Sequence, residues 1–344
     1  MDMMKQTLAD LGWRPFFSAQ ISDDDDEGCH PARVMAVQRR KILVAGDDWS
    51  AHIPPDFPDT GAAEDHPAVG DWILVEQDRL KPRRILERAS LFKRRASGGE
   101  QKTQLIAANV DTLFIVASCN QDFSVARLER YLVLAREVGV HPVIVLTKTD
   151  LTDTPATFVE AAQALQPGLL VETVNGRDPQ SAARLAAWCG KGETVALLGS
   201  SGVGKSTLIN TLRGSDSLAT QAVREGDDTG RHTTTMREMH RLDQGGWLLD
   251  TPGMRELQLT DAAVGLAMVF DDIVTAAAQC RFTNCSHQVE PGCAVRLAVE
   301  AGEIAPDRVD RWRKLVAEEA YNSASPAERR ALDRIGASTG GKRR

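Results

Sequence analysis

The 344-residue sequence predicts an α/β protein in three parts. These are a doubly wound central domain, a small β-barrel of the OB type ahead of it, and a helical domain after it. Three observations predict this. Short strand-like runs separated by turn residues fill the stretch from about Ala32 to Glu87. Continuous apolar runs alternate with helical spacing from about Leu105 to Val274. Three cysteines and a histidine then fall within fourteen positions, between Cys280 and Cys293.

The composition sets bounds before any motif is read. The hydrophobic fraction, 42%, is ordinary for a soluble chain, and no apolar run is long enough to cross a bilayer. The start, MDMMKQTLADLG, lacks the basic onset and apolar core of a secretory signal. A cytoplasmic monomer with no membrane partner is expected. Cys29, Cys119 and Cys189 are scattered and read as free thiols, as a reducing compartment implies. The net charge of −7 gives no global sign of nucleic-acid binding, so local patches carry that question.

Residues 1–30 read as an N-terminal extension. A short helix-like start leads into Asp23-Asp24-Asp25-Asp26-Glu27, a solvated acidic run. Residues 31–97 read as the barrel. Its strand candidates are Arg33–Val37, Lys41–Ala45, Ser50–Ile53, Asp71–Glu76 and Arg84–Glu87. OB-type barrels often bind nucleic acid, although the fold alone does not establish it. The end of this segment is basic: Arg79, Lys81, Arg83, Arg84, Arg88, Lys93, Arg94 and Arg95. Such a stripe suits RNA phosphates, and it equally suits a solvated linker. Trp72 alternates with apolar residues and is expected in the core, which leaves Phe92 as the nearer base-stacking candidate. Ser97-Gly98-Gly99 reads as a linker.

Residues 103–274 read as the central domain. Thr112–Ala117 and Pro142–Leu146 are apolar throughout, as strands covered on both faces are. Between them Leu128, Tyr131, Leu132, Leu134 and Ala135 recur at helical spacing. The domain is organised round Gly199-Ser200-Ser201-Gly202-Val203-Gly204-Lys205-Ser206-Thr207, a G-x-x-x-x-G-K-S phosphate loop. The apolar run Thr194–Leu198 precedes it and a helix-like run to Leu212 follows, which is the context such a loop requires. Its glycines let backbone N–H groups turn inward onto phosphate oxygens. Lys205 is placed to reach the β- and γ-phosphates, and Ser206 to hold Mg²⁺.

Thr147-Lys148-Thr149-Asp150 ends the second strand, where open α/β sheets bind ligands. A carboxylate there accepts from the N1–H and exocyclic amine of guanine, a donor pair that adenine lacks. Lys148 can lay its stem over the base. This element resembles the N-K-x-D of GTPases, with Thr147 in place of Asn. Downstream, Trp247-Leu248-Leu249 leads into Asp250-Thr251-Pro252-Gly253, a D-x-x-G element. Asp250 suits Mg²⁺ through a water, and Gly253 offers an N–H to the γ-phosphate. Between the two, Gly226–Thr235 reads as a switch segment that orders round γ-phosphate and metal. Thr234 is favoured over Thr233 and Thr235 as its Mg²⁺ ligand. The base-reading element precedes the phosphate loop, the reverse of the ordinary GTPase order. A circularly permuted GTPase domain is therefore expected, and chain ends that lie close in space make the rearrangement feasible. Where many GTPases carry a water-orienting Gln, this chain has Met254. Either His232 orients the water or a partner supplies the missing group.

Residues 275–344 read as the C-terminal domain. Cys280-x₄-Cys285-x-His287-x₅-Cys293 matches a Cys₃His set for one structural Zn²⁺, whose binding would supply folding energy to a polar segment. Asp307–Ala320 and Pro326–Ile335 follow as amphipathic helices, and the end is basic.

Taken together, these motifs resemble the ribosome small subunit-dependent GTPase A family over nearly the whole chain, from about Arg33 to the last helix. The order T-K-x-D, phosphate loop, G-R-H-T-T-T, D-T-P-G and C-x₄-C-x-H-x₅-C carries the resemblance. It implies a late assembly factor of the 30S ribosomal subunit, contacting 16S rRNA, that hydrolyses GTP to GDP with stimulation by that subunit. It places guanine contacts on Thr147, Lys148, Thr149 and Asp150, phosphate contacts on Gly199 to Thr207, and zinc on Cys280, Cys285, His287 and Cys293. The departure is Thr147, whose shorter side chain would weaken the bond that braces the loop. A second base-loop element near Val174-Asn175-Gly176 is too degenerate to assign. Two other readings stand beside this one. The first is a general P-loop NTP hydrolase or kinase, against which Asp150 argues. The second is an RNA-binding GTPase timer acting on other RNA.

Overall fold

The structure, a computed structural model, describes residues 6–22, 28–38, 40–58, 61, 63–76, 78–95, 103–214, 237–250, 254, 257–325 and 327–331. The chain divides into two compact units, Met1–Val125 with Val138–Leu257, and Ala126–Glu137 with Gln258–Arg344.

In the first unit a short helix, α1 (Pro15–Ser18), precedes five antiparallel strands. These are β1 (Cys29–Val37), β2 (Ile42–Gly46), β3 (Trp49–Ile53), β4 (Trp72–Glu76) and β5 (Lys81–Ile85). They pair in the order β3-β2-β1-β4-β5. Val34, Ile42, Val44, Ile53 and Ile73 form their shared core. β5 starts at Lys81 rather than Arg84 and so contains Pro82. Proline cannot donate to a ladder, but among the described residues β5 pairs only with β4, and the edge position tolerates it. Leu91–Arg95, read above as part of a basic stretch with Phe92 as a stacking candidate, is a strand, β6, antiparallel to β7 (Thr103–Ala108). The Ser97–Gly99 linker lies outside the described residues.

The central sheet adds β8 (Thr112–Ser118), β9 (His141–Thr147), β10 (Leu170–Thr173), β11 (Thr194–Leu198), β12 (Arg237–Arg241) and β13 (Trp247–Asp250). Its order is β10-β9-β8-β11-β13-β12, parallel except for β12. Helix α2 (Val125–Glu137) lies between β8 and β9 in the chain, α3 (Pro155–Gln163) between β9 and β10, α4 (Pro179–Ala182) after β10 and α5 (Lys205–Leu212) after β11. From β8 the chain winds outward through β9 to β10, and from β11 it winds the other way to β13. The reversal between β8 and β11 is where such sheets take ligands. β12 also pairs with β1, Ala36 opposite Glu238 and Val37 opposite Arg237. One sheet thus runs from the central domain into the barrel.

Arg33 lies at that junction, 1% exposed. Its guanidinium donates to Leu11 O at 2.5 Å, Thr194 Oγ1 at 2.8 Å and Asn109 O at 3.2 Å. Residues 6–20, read as an extension, are built into the same unit. The Trp13 and Phe17 rings pack on Trp72 at 4.7 and 5.7 Å, and Trp247 Nε1 donates to Asp10 O at 2.8 Å.

The second unit is helical: residues 126–137 of α2, then α6 (Ala263–Val269), α7 (Asp271–Ala277), α8 (Ala294–Glu300) and α9 (Pro306–Ser323). The expected domain boundary at 274/275 falls inside α7, whereas the compact unit starts at Gln258, soon after the last strand ends. α6 crosses α2 closely at Gly265, where a Cβ would stand 2.2 Å from Val133 O. Glu129 is fully buried and takes Arg311 Nε at 2.6 Å and Arg308 Nη1 at 3.3 Å.

Candidate functional site

The loop between β11 and α5 is shaped by its glycines. A Cβ on Gly199 would lie 2.3 Å from Val116 O, so only glycine lets β11 turn there. Gly202 and Gly204 have φ of +76° and +95°, the left-handed region that glycine enters freely. Alternating backbone handedness of this kind makes an anion-binding nest at a helix start. Lys205 Nζ lies 2.7 Å from Gly199 O and also donates to Ser200 O, which folds its side chain back over the loop. Ser206 is exposed in the first turn of α5.

The loop after β9 stands beside it. Thr147 is buried, and its hydroxyl lies 2.5 Å from Val203 O in the phosphate loop and 3.2 Å from Ala117 O. The bond expected to be weak is therefore short: the β9 backbone comes close enough for a threonine to brace the loop. Lys148 has φ of +57° and turns the chain into the short turn Thr149–Leu151. Thr147, Lys148, Asp150, Gly204 and Thr207 line one cavity of about 140 Å³ with Asn175, Gly176 and Arg177.

The segment at 175–177, left unassigned from sequence, thus lines the same cavity. Its amides are distinct in use. Asn175 N donates to Ser181 Oγ at 2.9 Å, and Arg177 N to Asn175 Oδ1 at 3.0 Å. Among the described residues the Gly176 N–H has no partner. A carboxylate at 150 suits the N1–H and amine edge of guanine, and an N–H from a residue lining the same cavity suits its O6. No residue-type signal could have found this group, because it is backbone.

Other expected residues are placed less fully. Asp250 ends β13, opposite Glu238. Thr251, Gly253, His232, Thr233, Thr234 and Thr235 lie outside the described residues, as does the acidic run 23–27. Met254 is 2% exposed and packs as a core residue.

Two expectations for the barrel change. Phe92 is 1% exposed, so its ring is core and cannot stack on a base. Arg88 belongs to the fold rather than to a surface stripe. It grips the fully buried Asp71 through 2.7 and 2.8 Å bonds and donates to Glu64 O and His66 O. Lys93 pairs with Glu64 at 2.6 Å, while Arg79, Lys81 and Arg83 remain exposed.

In the second unit Cys280, Cys285, His287 and Cys293 come together, with their ligand atoms all within 4.8 Å of one another. His287 Nδ1 lies 3.5 Å from both Cys280 Sγ and Cys293 Sγ, near the edge length of a tetrahedron about a zinc ion. His287 takes φ of +58°, and Arg313 donates to its carbonyl, which fixes the turn. Burial, then the Arg313 charge, push the His287 pKa down and keep the imidazole neutral, the form that binds metal.

Comparison with known proteins decides the family. The RsgA GTPase family pattern matches residues 85–260, about half of the chain. The chain belongs to the RsgA GTPase family. The small ribosomal subunit biogenesis GTPase RsgA 2 of Vibrio parahaemolyticus is 47% identical over 327 residues, covering 95% of this chain and 90% of that protein. The small ribosomal subunit biogenesis GTPase RsgA of Mesorhizobium japonicum is 48% identical over 320 residues, covering 92% and 91%. Two solved structures share the fold. YjeQ from Thermotoga maritima has a TM-score of 0.61 at 23% identity and covers 84% of this chain and 98% of its own. YloQ, described as a circularly permuted GTPase, has a TM-score of 0.58 at 24% identity and covers 86% and 97%. The permuted order expected for the RsgA-type domain is thus the order of known folds. No helix among the described residues is long and apolar enough to cross a membrane.

Proposed function

We propose that this protein is a cytoplasmic, monomeric GTPase of late 30S maturation that binds 16S rRNA and hydrolyses GTP when docked on the small subunit. The observation that carries this is the cavity that Asp150 and Gly176 line together with residues of the phosphate loop, in a chain so similar to proteins named for small-subunit biogenesis. Asp150 would read the N1–H and amine of guanine, Lys148 would cover the base, and Thr147 and Thr149 would hold the loop. Gly199 to Thr207 would carry the phosphates, with Lys205 neutralising charge that develops between β- and γ-phosphate. Mg²⁺, when bound, supplies further charge neutralisation there, and Ser206, Thr234 and Asp250, the last through a water, would hold it. His232 would orient the attacking water, or the subunit would complete the site. The exposed Arg79, Lys81 and Arg83 would meet RNA phosphates. Cys280, Cys285, His287 and Cys293 would hold one structural Zn²⁺, whose donor set and spacing fit that ion.

The test is phosphate release from GTP and from ATP, with and without 30S subunits, at fixed salt because RNA binding is salt-sensitive. Slow turnover of GTP alone, raised by 30S and not by 50S subunits, is expected. Turnover of both nucleotides, or indifference to 30S, would leave only a general P-loop hydrolase.

A further inference from the structure

We infer that Glu290, which is not one of the four ligands, is the positioning residue that aims Cys285 at the metal. This rests on the zinc reading above. Cys285 and His287 share one turn, and the Glu290 carboxylate reaches back to it. Its Oε1 accepts from Ser286 N at 2.8 Å, and its Oε2 accepts from Gln288 N at 3.1 Å and Val289 N at 3.2 Å. The Ser286 hydroxyl donates to the same carboxylate. The remaining amide of the turn, His287 N, donates to the Cys285 sulfur. His287 has φ of +58°, and a left-handed residue in such a turn brings neighbouring amides to one side, as a nest for an anion does. Here the anion is the chain's own carboxylate. Ser286 N belongs to the peptide that leaves Cys285, and Gln288 N to the peptide that leaves His287. The second peptide is held at both ends, because Arg313 donates to His287 O. The first is held, among the described residues, by Glu290 alone. Cys285 is therefore the ligand whose backbone depends on this carboxylate. Three thiolates and a neutral imidazole around Zn²⁺ would leave the centre net negative. That charge repels a carboxylate three positions from both His287 and Cys293, so the amides, not the ion, account for its place.

The experiment uses the full-length protein, natural and with Glu290→Ala or Glu290→Gln, loaded with zinc. Competition with a chromophoric chelator gives the zinc dissociation constant. Iodoacetamide labelling followed by peptide mass spectrometry reads Cys280, Cys285 and Cys293 separately. Glu290→Ala should raise the dissociation constant about 10–100-fold, the usual cost of losing a group that orients a metal ligand. Glu290→Gln keeps the size but cannot accept on both sides, and should raise it about 10-fold. At saturating zinc both variants should keep the natural helical ellipticity. In the natural protein all three thiols should be protected, whereas in Glu290→Ala Cys285 should be alkylated well before Cys280 and Cys293. Equal labelling or equal protection of the three thiols in that variant would overturn the inference, as would a natural zinc affinity. Loss of ellipticity at saturating zinc would show a merely structural role and overturn it too. A natural protein that takes up no zinc would overturn the zinc reading itself, and the inference with it.

Discussion

Replacing Arg33 by Met removes a buried cation of similar volume from the junction of barrel and central sheet. Its three short bonds, to Leu11 O, Thr194 Oγ1 and Asn109 O, run from 2.5 to 3.2 Å, and no carboxylate accepts from it among the described residues. Burial pulls its pKa down to about 10, so it keeps its charge at neutral pH. Each bond from a charged donor is worth about 1.5–3 kcal/mol, or about 4.5–9 kcal/mol for three. Removing the ion also recovers a desolvation cost of several kcal/mol. The net loss expected is about 3–5 kcal/mol. For a unit of this size that lowers the melting temperature by about 10 °C. Thermal unfolding followed by circular dichroism and by tryptophan emission would measure it, since Trp72 sits beside Arg33 and Trp13 packs on Trp72. Arg33→Lys should fall between, because one ammonium cannot span acceptors on three segments. A Met variant that melts within about 2 °C of the natural protein, or above it, would refute the reasoning. It would mean that the desolvation recovered matches the bonds lost, as happens when a well-packed apolar side chain replaces a buried ion.

Four other changes probe separate parts. Asp150→Asn should weaken GTP binding about 100-fold, from the loss of two charge-assisted bonds at roughly 1.5 kcal/mol each. It should improve binding of xanthosine triphosphate, whose 2-carbonyl can accept from the new amide, and equilibrium titration with both nucleotides checks this. Gly199→Ala should abolish nucleotide binding, because the methyl would meet Val116 O at 2.3 Å, and calorimetry would detect any heat that remains. Purified protein should contain one zinc per chain by atomic absorption, and Cys285→Ser or a strong chelator should remove it with loss of helical ellipticity while GTP still binds. Glu129→Ala should cost about 3 kcal/mol in urea unfolding, because it leaves Arg308 and Arg311 facing one another without the fully buried carboxylate between them.

The readings that came easily from sequence are those in which chemistry and local backbone coincide. The phosphate loop couples an apolar strand to glycines that only a tight anion-binding turn needs, and the two signals adjoin within fourteen residues, 194–207. The Cys₃His set is equally local. Apolar runs on both sides of the sheet announced β8, β9 and β11, because strands covered on both faces cannot hide their composition. The strand read at Arg84–Glu87 begins instead at Lys81 and takes in Pro82: a residue that breaks central strands is harmless at an edge, and edge position is not local. Phe92 misled because an aromatic beside basic residues looks alike whether its ring faces solvent or core.

By itself the sequence determined the order of the motifs, and hence the permuted GTPase domain, its phosphate loop, the carboxylate proposed to read the base and its thiol cluster. Each is a matter of which residues stand within a few positions of one another. Only the tertiary structure decided what is shared between distant segments. It brought Gly176 into the lining of the pocket that holds Asp150, set Thr211 and Thr147 on the two loops, buried Arg33 between segments 76 and 161 residues away in the chain, and placed residues 126–137 with the C-terminal helices. A backbone amide carries no residue-type signal, and a hydroxyl or guanidinium reads as solvent-facing until packing shows which carbonyl it must satisfy. That is why these assignments needed the fold.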